Sequence, residues 1–243
     1  MMNSTQINSD ECVGWEQIWR SGDIPPRYRS LAAPNDTVVE WATTVPVGST
    51  ILDVGCGVGR HVTYLGGLGF SLAGVDISPT GVQQTKAICA ERGVVFDGRI
   101  SDMNTLPWPD NTFAAALSTS TIHHHRRAGI MRALAEIWRV LQPGGLFLVD
   151  FPSTDTLTYQ ELRRQVETGQ ISEVEPNTFV DQRPDSEDAD GFLPHHFCDE
   201  ADLRDLLHAF DILKLEADLH EAQLDIGSGL VGKWVAWVRR PLL

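Results

Sequence analysis

The sequence predicts an α/β protein built on a doubly wound parallel sheet, and three observations carry that prediction. From residue 49 onward, short apolar runs bounded by Gly or Pro alternate with helical stretches. That rhythm belongs to parallel strands whose crossover helices cover both faces of a sheet. The first run then enters a glycine turn, Ile51-Leu52-Asp53-Val54-Gly55-Cys56-Gly57-Val58-Gly59-Arg60, just before a helix. Finally, an acid stands at or near the end of three successive runs, at Asp53, Asp76 and Asp102. Ligands of open α/β sheets bind at these carboxyl ends.

Each element follows from local signals. Residues 11–20 and 34–44 read as helices, with Pro34 suited to a first turn. Between them, Gly22, Pro25 and Pro26 mark an irregular loop. Thr50–Val54 is a strand, followed by a helix from about Val58 to Leu65. Ser71–Val75 is the second strand, and Pro79 opens a helix to about Arg92. Val94–Phe96 and Phe113–Ser118 supply the third and fourth strands. A helix over about Arg127–Leu141 is ended by Pro143-Gly144-Gly145, and Leu146–Phe151 is the fifth strand. Residues 152–198 show no clear periodicity. Asp199–Ala209 then reads as a helix, and Asp211–Glu216 and Val231–Arg239 as strands, which brings the sheet to seven. The expected organisation is an N-terminal helical segment with a lid loop (1–48), a cofactor-binding core (49–151), a substrate or lid insertion (152–198) and a closing helix with edge strands (199–243). A lid over 181–194, rich in Pro and Asp, predicts protease cutting there that bound product slows.

Composition narrows the partners. Nineteen Lys and Arg against thirty-three Asp and Glu leave a net charge of −14, with sixteen acids and five bases in residues 161–220. Such a charge argues against nucleic acid, whose binding relies on clustered cations against phosphates. It argues equally against an anionic membrane surface. No apolar run approaches the ~18 residues of a membrane span. The four cysteines are scattered without a CxxC pair, which with an N-terminus lacking signal-peptide features points to a reduced, cytoplasmic protein. A monomer and a homodimer both remain open.

The glycine loop indicates the ligand. A tight turn of this kind requires unusual dihedrals, and glycine also lets a ligand approach the backbone. Asp76 follows Gly55 by 21 residues, at the place where a carboxylate accepts both hydroxyls of a ribose. Asp102 can accept from an adenine amino group, with Met103 packing on the ring. The third glycine comes one residue earlier than in a dinucleotide fingerprint, and the fixed charge of Asp53 suits an ammonium better than a pyrophosphate. The expected ligand is a nucleoside carrying an amino acid.

These residues resemble the class I S-adenosylmethionine-dependent methyltransferases. The run DVGCGVGR is similar to their first motif, GVDIS to the second, SDMNTLPWPDNTF to the adenine-contacting third, and EIWRVLQPGG to a late signature; together they cover about residues 45–151. The resemblance implies a Rossmann-like, mostly parallel seven-stranded sheet with an antiparallel last strand, matching Val231–Arg239. It implies that Gly55, Gly57 and Gly59 lie along the methionine part of S-adenosyl-L-methionine, with Asp53 supporting the loop or the ammonium. Asp76 and Ile77 would meet the ribose, Asp102 and Met103 the adenine, and Thr119 and Tyr28 would complete the cofactor site. Looser similarities concern EPNTFV with Pro194-His195-His196-Phe197, which resembles a bacterial group with an extra segment after the fifth strand. The opening Trp15-Glu16-Gln17-Ile18-Trp19 is similar to small-molecule enzymes of the tellurite-resistance and thiopurine type. Both imply a small substrate.

On that basis the expected catalytic candidates are His123 and His124, which follow the fourth strand, with His196 facing them. Arg29, His195 and Phe197 are candidates for the substrate. Packing, substrate contact and metal binding all remain open for these histidines, although no carboxylate or cysteine stands at ligand spacing, so no metal is assigned. A thiolate acceptor needs only alignment, whereas an alcohol or phenol needs a general base. The alternatives are a nucleotide-dependent oxidoreductase, a protein or nucleic-acid methyltransferase, and a cofactor sensor without catalysis.

Overall fold

The computed structural model describes residues 9–20, 33–181 and 193–242. Tyr28, Arg29 and nearly all of the expected lid at 181–194 lie outside them. Two compact units are present, one built on the chain up to Leu117 with Arg139–Gln142, the other on Ser118–Trp138 and Pro143 onward.

The first unit contains α1 (Ser9–Arg20), α2 (Asp36–Ala42), β1 (Thr50–Val54), α3 (Arg60–Gly67), β2 (Ser71–Asp76), α4 (Pro79–Glu91), β3 (Phe96–Ile100) and β4 (Phe113–Ser118, its last residue in the second unit). The β1–β2, β2–β3 and β1–β4 pairs are all parallel. Ile51 to Val54 are buried without a break, as expected of a central parallel strand covered on both faces. Asp53 is therefore an acid placed where the pattern calls for an apolar residue.

Two boundaries differ from the sequence reading for identifiable reasons. Helix α3 starts at Arg60 because Gly57 and Gly59 have φ of 49° and 85°, which no right-handed helix accommodates. Strand β3 is shifted to Phe96–Ile100 because Val94 is used to end α4. The Val94 amide donates to the Cys89 carbonyl and the Gly93 amide to Ala90, closing the helix through a left-handed glycine. Val95 is left 78% exposed, so the apolar pair that marked a strand in the sequence is a helix cap.

The second unit contains most of α5 (Arg127–Val140) and β5 (Leu141–Pro152), then α6 (Leu157–Glu167), β6 (Ser172–Glu175), β7 (Thr178–Val180), β8 (His195–His196), α7 (Glu200–Leu206), β9 (Asp211–Leu224) and β10 (Gly227–Arg239). Strand β10 runs antiparallel to both β5 and β9. The full sheet order is β3-β2-β1-β4-β5-β10-β9, the seven-stranded, mostly parallel Rossmann-like arrangement with an antiparallel last strand. The order reverses between β1 and β4, which makes the carboxyl ends of these strands the topological switch point.

Residues 152–198 hold structure that sequence periodicity missed. Strands β6, β7 and β8 form a small antiparallel sheet of four, three and two residues, too short to show alternation. Ile171, Phe179 and Phe197 make a satellite core beneath α6, against Tyr159, Leu162 and Val166. The β9–β10 hairpin is also longer than expected. Only Lys233–Arg239 pairs with β5, so Gly227–Gly232 and Leu219–Leu224 continue as a two-stranded ribbon.

Candidate cofactor site and histidine cluster

The cofactor region begins where β1 leaves the sheet. The Gly55 and Cys56 amides both donate to the Val75 carbonyl at 2.8 and 3.0 Å, turning the chain across the end of β2. The Gly57 amide then donates to Asp76 Oδ2 at 2.8 Å, and the Ser78 amide to Asp76 Oδ1 at 2.9 Å. With the Ile77 amide, three backbone donors fix the carboxylate at the strand tip, and a carboxylate with about four acceptor sites keeps capacity for a ligand hydroxyl. Burial raises the Asp76 carboxyl against the amide bonds of Ser78, Gly57 and Ile77 that lower it, and the charge of Glu16 adds to the rise.

The glycines owe their identity to backbone and packing as much as to ligand access. A Cβ on Gly59 would lie 2.7 Å from the Thr85 side chain on α4, and one on Gly57 would lie 3.1 Å from the Trp19 ring. The same threonine donates to the Gly57 carbonyl at 2.8 Å, fastening the loop to α4.

Helix α1 supplies residues that sequence reasoning did not assign. Glu16 accepts from Ser78 Oγ at 2.6 Å and from the Thr80 hydroxyl and amide at 2.6 and 3.0 Å, so it caps the start of α4 from outside. Burial raises the Glu16 carboxyl, but these hydrogen bonds outweigh it and hold the group below the usual range. Trp19 is buried against the loop and stacks on Trp15 with centroids 6.4 Å apart. Ser78-Pro79-Thr80 announces a helix start, but nothing local says which distant acid answers it. Glu16→Ala is expected to cost about 1–2 kcal/mol of stability. Urea melting with an unchanged m-value checks this, and an unmoved midpoint would show that Glu16 bears no load there.

Asp53 is 2% exposed, and its carboxyl is pushed up to about 7. Burial is the main cause, opposed by the Arg60 charge and reinforced by Asp76. Asp102 Oδ1 accepts the Asn104 amide and side-chain nitrogen at 2.8 and 2.9 Å, which shapes a tight turn and half-buries Met103. The donor and acceptor set of Asp76, the loop and Asp102 fits an adenosyl group: a carboxylate with capacity for a ribose hydroxyl and a second carboxylate one strand further on.

In the second unit the chain after β4 forms a compact turn. Thr119 is buried, the Thr121 hydroxyl donates to its carbonyl at 2.9 Å, and the His124 amide donates to the Thr121 carbonyl at 3.0 Å. The imidazoles of His123 and His124 lie 4.1 Å apart, centroid to centroid, and His195 meets them at 6.1 and 4.5 Å.

The sequence pairing of His196 with His123 and His124 is corrected at this point. Adjacent residues of a strand point to opposite faces, so on β8 only one of the two histidines can join the cluster, and it is His195. His196 contributes its backbone, whose amide donates to the His123 carbonyl at 2.9 Å. Its ring is turned away, with Nδ1 2.7 Å from the Thr178 hydroxyl and Nε2 2.8 Å from Asp202 Oδ2. Phe197 is packed into the satellite core beside Tyr159 and Phe179.

The structure also groups residues that the sequence reading did not, since a cysteine and a carboxylate do stand beside one of the histidines. His196, Cys198 and Asp202 offer ligand atoms within 4.8 Å of one another. The group is closed by its own bonds, since Arg127 pairs with Asp202 Oδ1 and with Asp205. Burial pushes Asp202 up, but the His196 hydrogen bond and the charges of His196 and Arg127 hold it below the usual range. Burial drives the Cys198 thiol far up, so it stays protonated. An arginine already answers the carboxylate that a metal ion would need.

Comparison with known proteins agrees with this geometry. A family described as "Methyltransferase domain" matches residues 52–149. An uncharacterized methyltransferase, YodH of Bacillus subtilis, is 33% identical over 98 residues, 40% of this chain and 41% of that protein. The chain thus spans less than half of that relative's length. Among solved structures, the 1,6-didemethyltoxoflavin-N1-methyltransferase of Burkholderia thailandensis aligns with a TM-score of 0.68 at 16% identity, covering 99% of this chain and 93% of that one. TehB of Haemophilus influenzae aligns at 0.62 and 17%, covering 90% and 66%. No helix among the described residues is long and apolar enough to cross a membrane. The stretch matched by the family, residues 52–149, holds the glycine loop and all three strand-end acids, which identifies that part of the chain as a methyltransferase domain.

Proposed function

We propose that the protein transfers a methyl group from S-adenosyl-L-methionine to a small-molecule nucleophile. The observation that carries this reading is the Asp76 carboxylate, fixed by the Gly57 and Ser78 amides with acceptor capacity to spare. When bound, S-adenosylmethionine supplies a sulfonium-activated methyl, an electrophile strong enough to need no further activation.

The work left to the chain is to hold, orient and deprotonate. Asp76 and Ile77 hold the ribose, Asp102 and Met103 frame the adenine, and the loop through Gly55, Gly57 and Gly59 with Asp53 runs along the amino-acid part. Thr119 closes the end of β4. His123, His124 and His195 would face the acceptor, one of them taking the proton that the acceptor gives up. His196 serves this set through its backbone amide and its Thr178 and Asp202 contacts. A small acceptor is supported by the net charge of −14, which disfavours nucleic acid, and by the small molecule, 1,6-didemethyltoxoflavin, bound to the structurally similar N1-methyltransferase. A cytoplasmic setting is part of the same reading.

A panel of thiols, amines, phenols and chalcogen oxyanions, followed by mass spectrometry with methyl-labelled cofactor, tests the proposal. Product from none of these with intact cofactor binding would leave a cofactor sensor. Within the panel, His124→Ala is expected to lower kcat/KM about 100-fold or more for a hydroxyl acceptor, the range of general-base catalysis. For a thiol the loss should be several-fold at most, because a thiolate needs alignment alone. Equal losses for both acceptors would mean that His124 packs rather than takes a proton.

A further inference from the structure

We propose that Asp150 and Lys233 form a positioning pair that aims the turn bearing Thr119, His123 and His124, an inference that rests on the methyltransferase reading. Ser120, inside that turn, sits in the left-handed region at φ 52°. Among the described residues the other non-glycine positions of this kind are Asn111 and Asn177, and asparagine tolerates the region where serine does not favour it. Something must hold Ser120 there, and its amide donates to Asp150 Oδ1 at 2.6 Å.

Asp150 stands near the end of β5 and is 2% exposed. A lone carboxylate so deep would be costly, and its second oxygen is paired with the Lys233 ammonium. Val235 lies opposite Asp150 in the β5–β10 ladder, so Lys233 is its diagonal neighbour on the same face. The far end of the turn is held separately, through the His196 amide on the His123 carbonyl and Glu175 on the Arg127 amide. Head and tail are thus both fixed, and the head is fixed by an ion pair between the neighbouring strands β5 and β10.

The test compares Lys233→Met, Asp150→Asn, Ser120→Gly and the double variant Ser120→Gly with Asp150→Asn. The readouts are histidine ring C–H resonances, kcat and KM for an acceptor found in the panel, and calorimetric binding of S-adenosylhomocysteine. Lys233→Met and Asp150→Asn are expected to shift the His123 and His124 resonances and to lower kcat about 10- to 100-fold, as for a displaced reacting group. Binding of S-adenosylhomocysteine should weaken only about two- to fivefold, since Thr119 is the one cofactor-site residue on this turn while Asp76, Asp102 and the glycine loop are untouched. Glycine accepts the left-handed conformation unaided, so Ser120→Gly should recover most of the Asp150→Asn loss. A double variant no better than Asp150→Asn alone, or resonances that do not move, would overturn the proposal. Absence of S-adenosylhomocysteine binding by the unaltered protein would instead fail the methyltransferase reading, while the resonances and their rescue would still decide the positioning role.

Discussion

Asp76→Ala is expected to weaken binding of S-adenosylhomocysteine by about 1.5–3 kcal/mol, the range for hydrogen bonds to a charged group. That corresponds to a loss of about 10- to 150-fold in affinity. The upper part of the range is favoured because the carboxylate has two duties: it offers acceptors to the ribose and it holds the Gly57 and Ser78 amides. Asparagine should be nearly as damaging, because its amide nitrogen would face one of those two N–H groups. Burial raises the Asp76 carboxyl, so affinity should also fall on acidification at a pH above the usual aspartate range. Calorimetry across pH measures both effects, and an affinity unchanged in the alanine variant would place the ribose elsewhere.

Asp53→Asn is expected to stabilise the protein, and more so in alkali. The folded carboxyl titrates at about 7, against an ordinary value of 3.8, so the folded state binds more protons than the unfolded chain between these limits. Stability therefore falls as pH rises through that window, by about 4 kcal/mol at most in total. Asparagine removes the titration, and its advantage over the parent should be larger at pH 8 than at pH 5.5 by on the order of 2 kcal/mol. Urea denaturation at the two pH values measures the difference; the same gain at both would show that Asp53 titrates as an ordinary acid. An acid that weakens the fold at a strand tip beside the glycine loop fits the general pattern in which functional positions break a local rule. The variant should correspondingly bind the cofactor less well.

Much of the first unit was legible from the chain alone. Ile51 to Val54 make a continuous apolar run because a central parallel strand is buried on both faces, with Asp53 the one departure. Gly57 and Gly59 are marked because their dihedrals exclude other residues. Asp76 and Asp102 were found because strand ends place them by spacing. The second unit was harder to read. Strands β6 to β8 are shorter than the window in which alternation shows. In the first unit the exception is Val94, which followed a helix-capping rule that an apolar run does not reveal.

What the amino-acid order determined by itself is the layered α/β plan, the glycine turn and the strand-end acids, since each depends on backbone dihedrals or on burial of a few adjacent residues. Only the tertiary structure decided which side chains meet. Glu16 caps a helix 64 residues away, and Lys233 neutralises Asp150 across 83 residues. His195 rather than His196 joins the histidine cluster because two successive strand residues cannot face the same side. Such pairings arise from packing between distant elements, and local sequence carries no record of them.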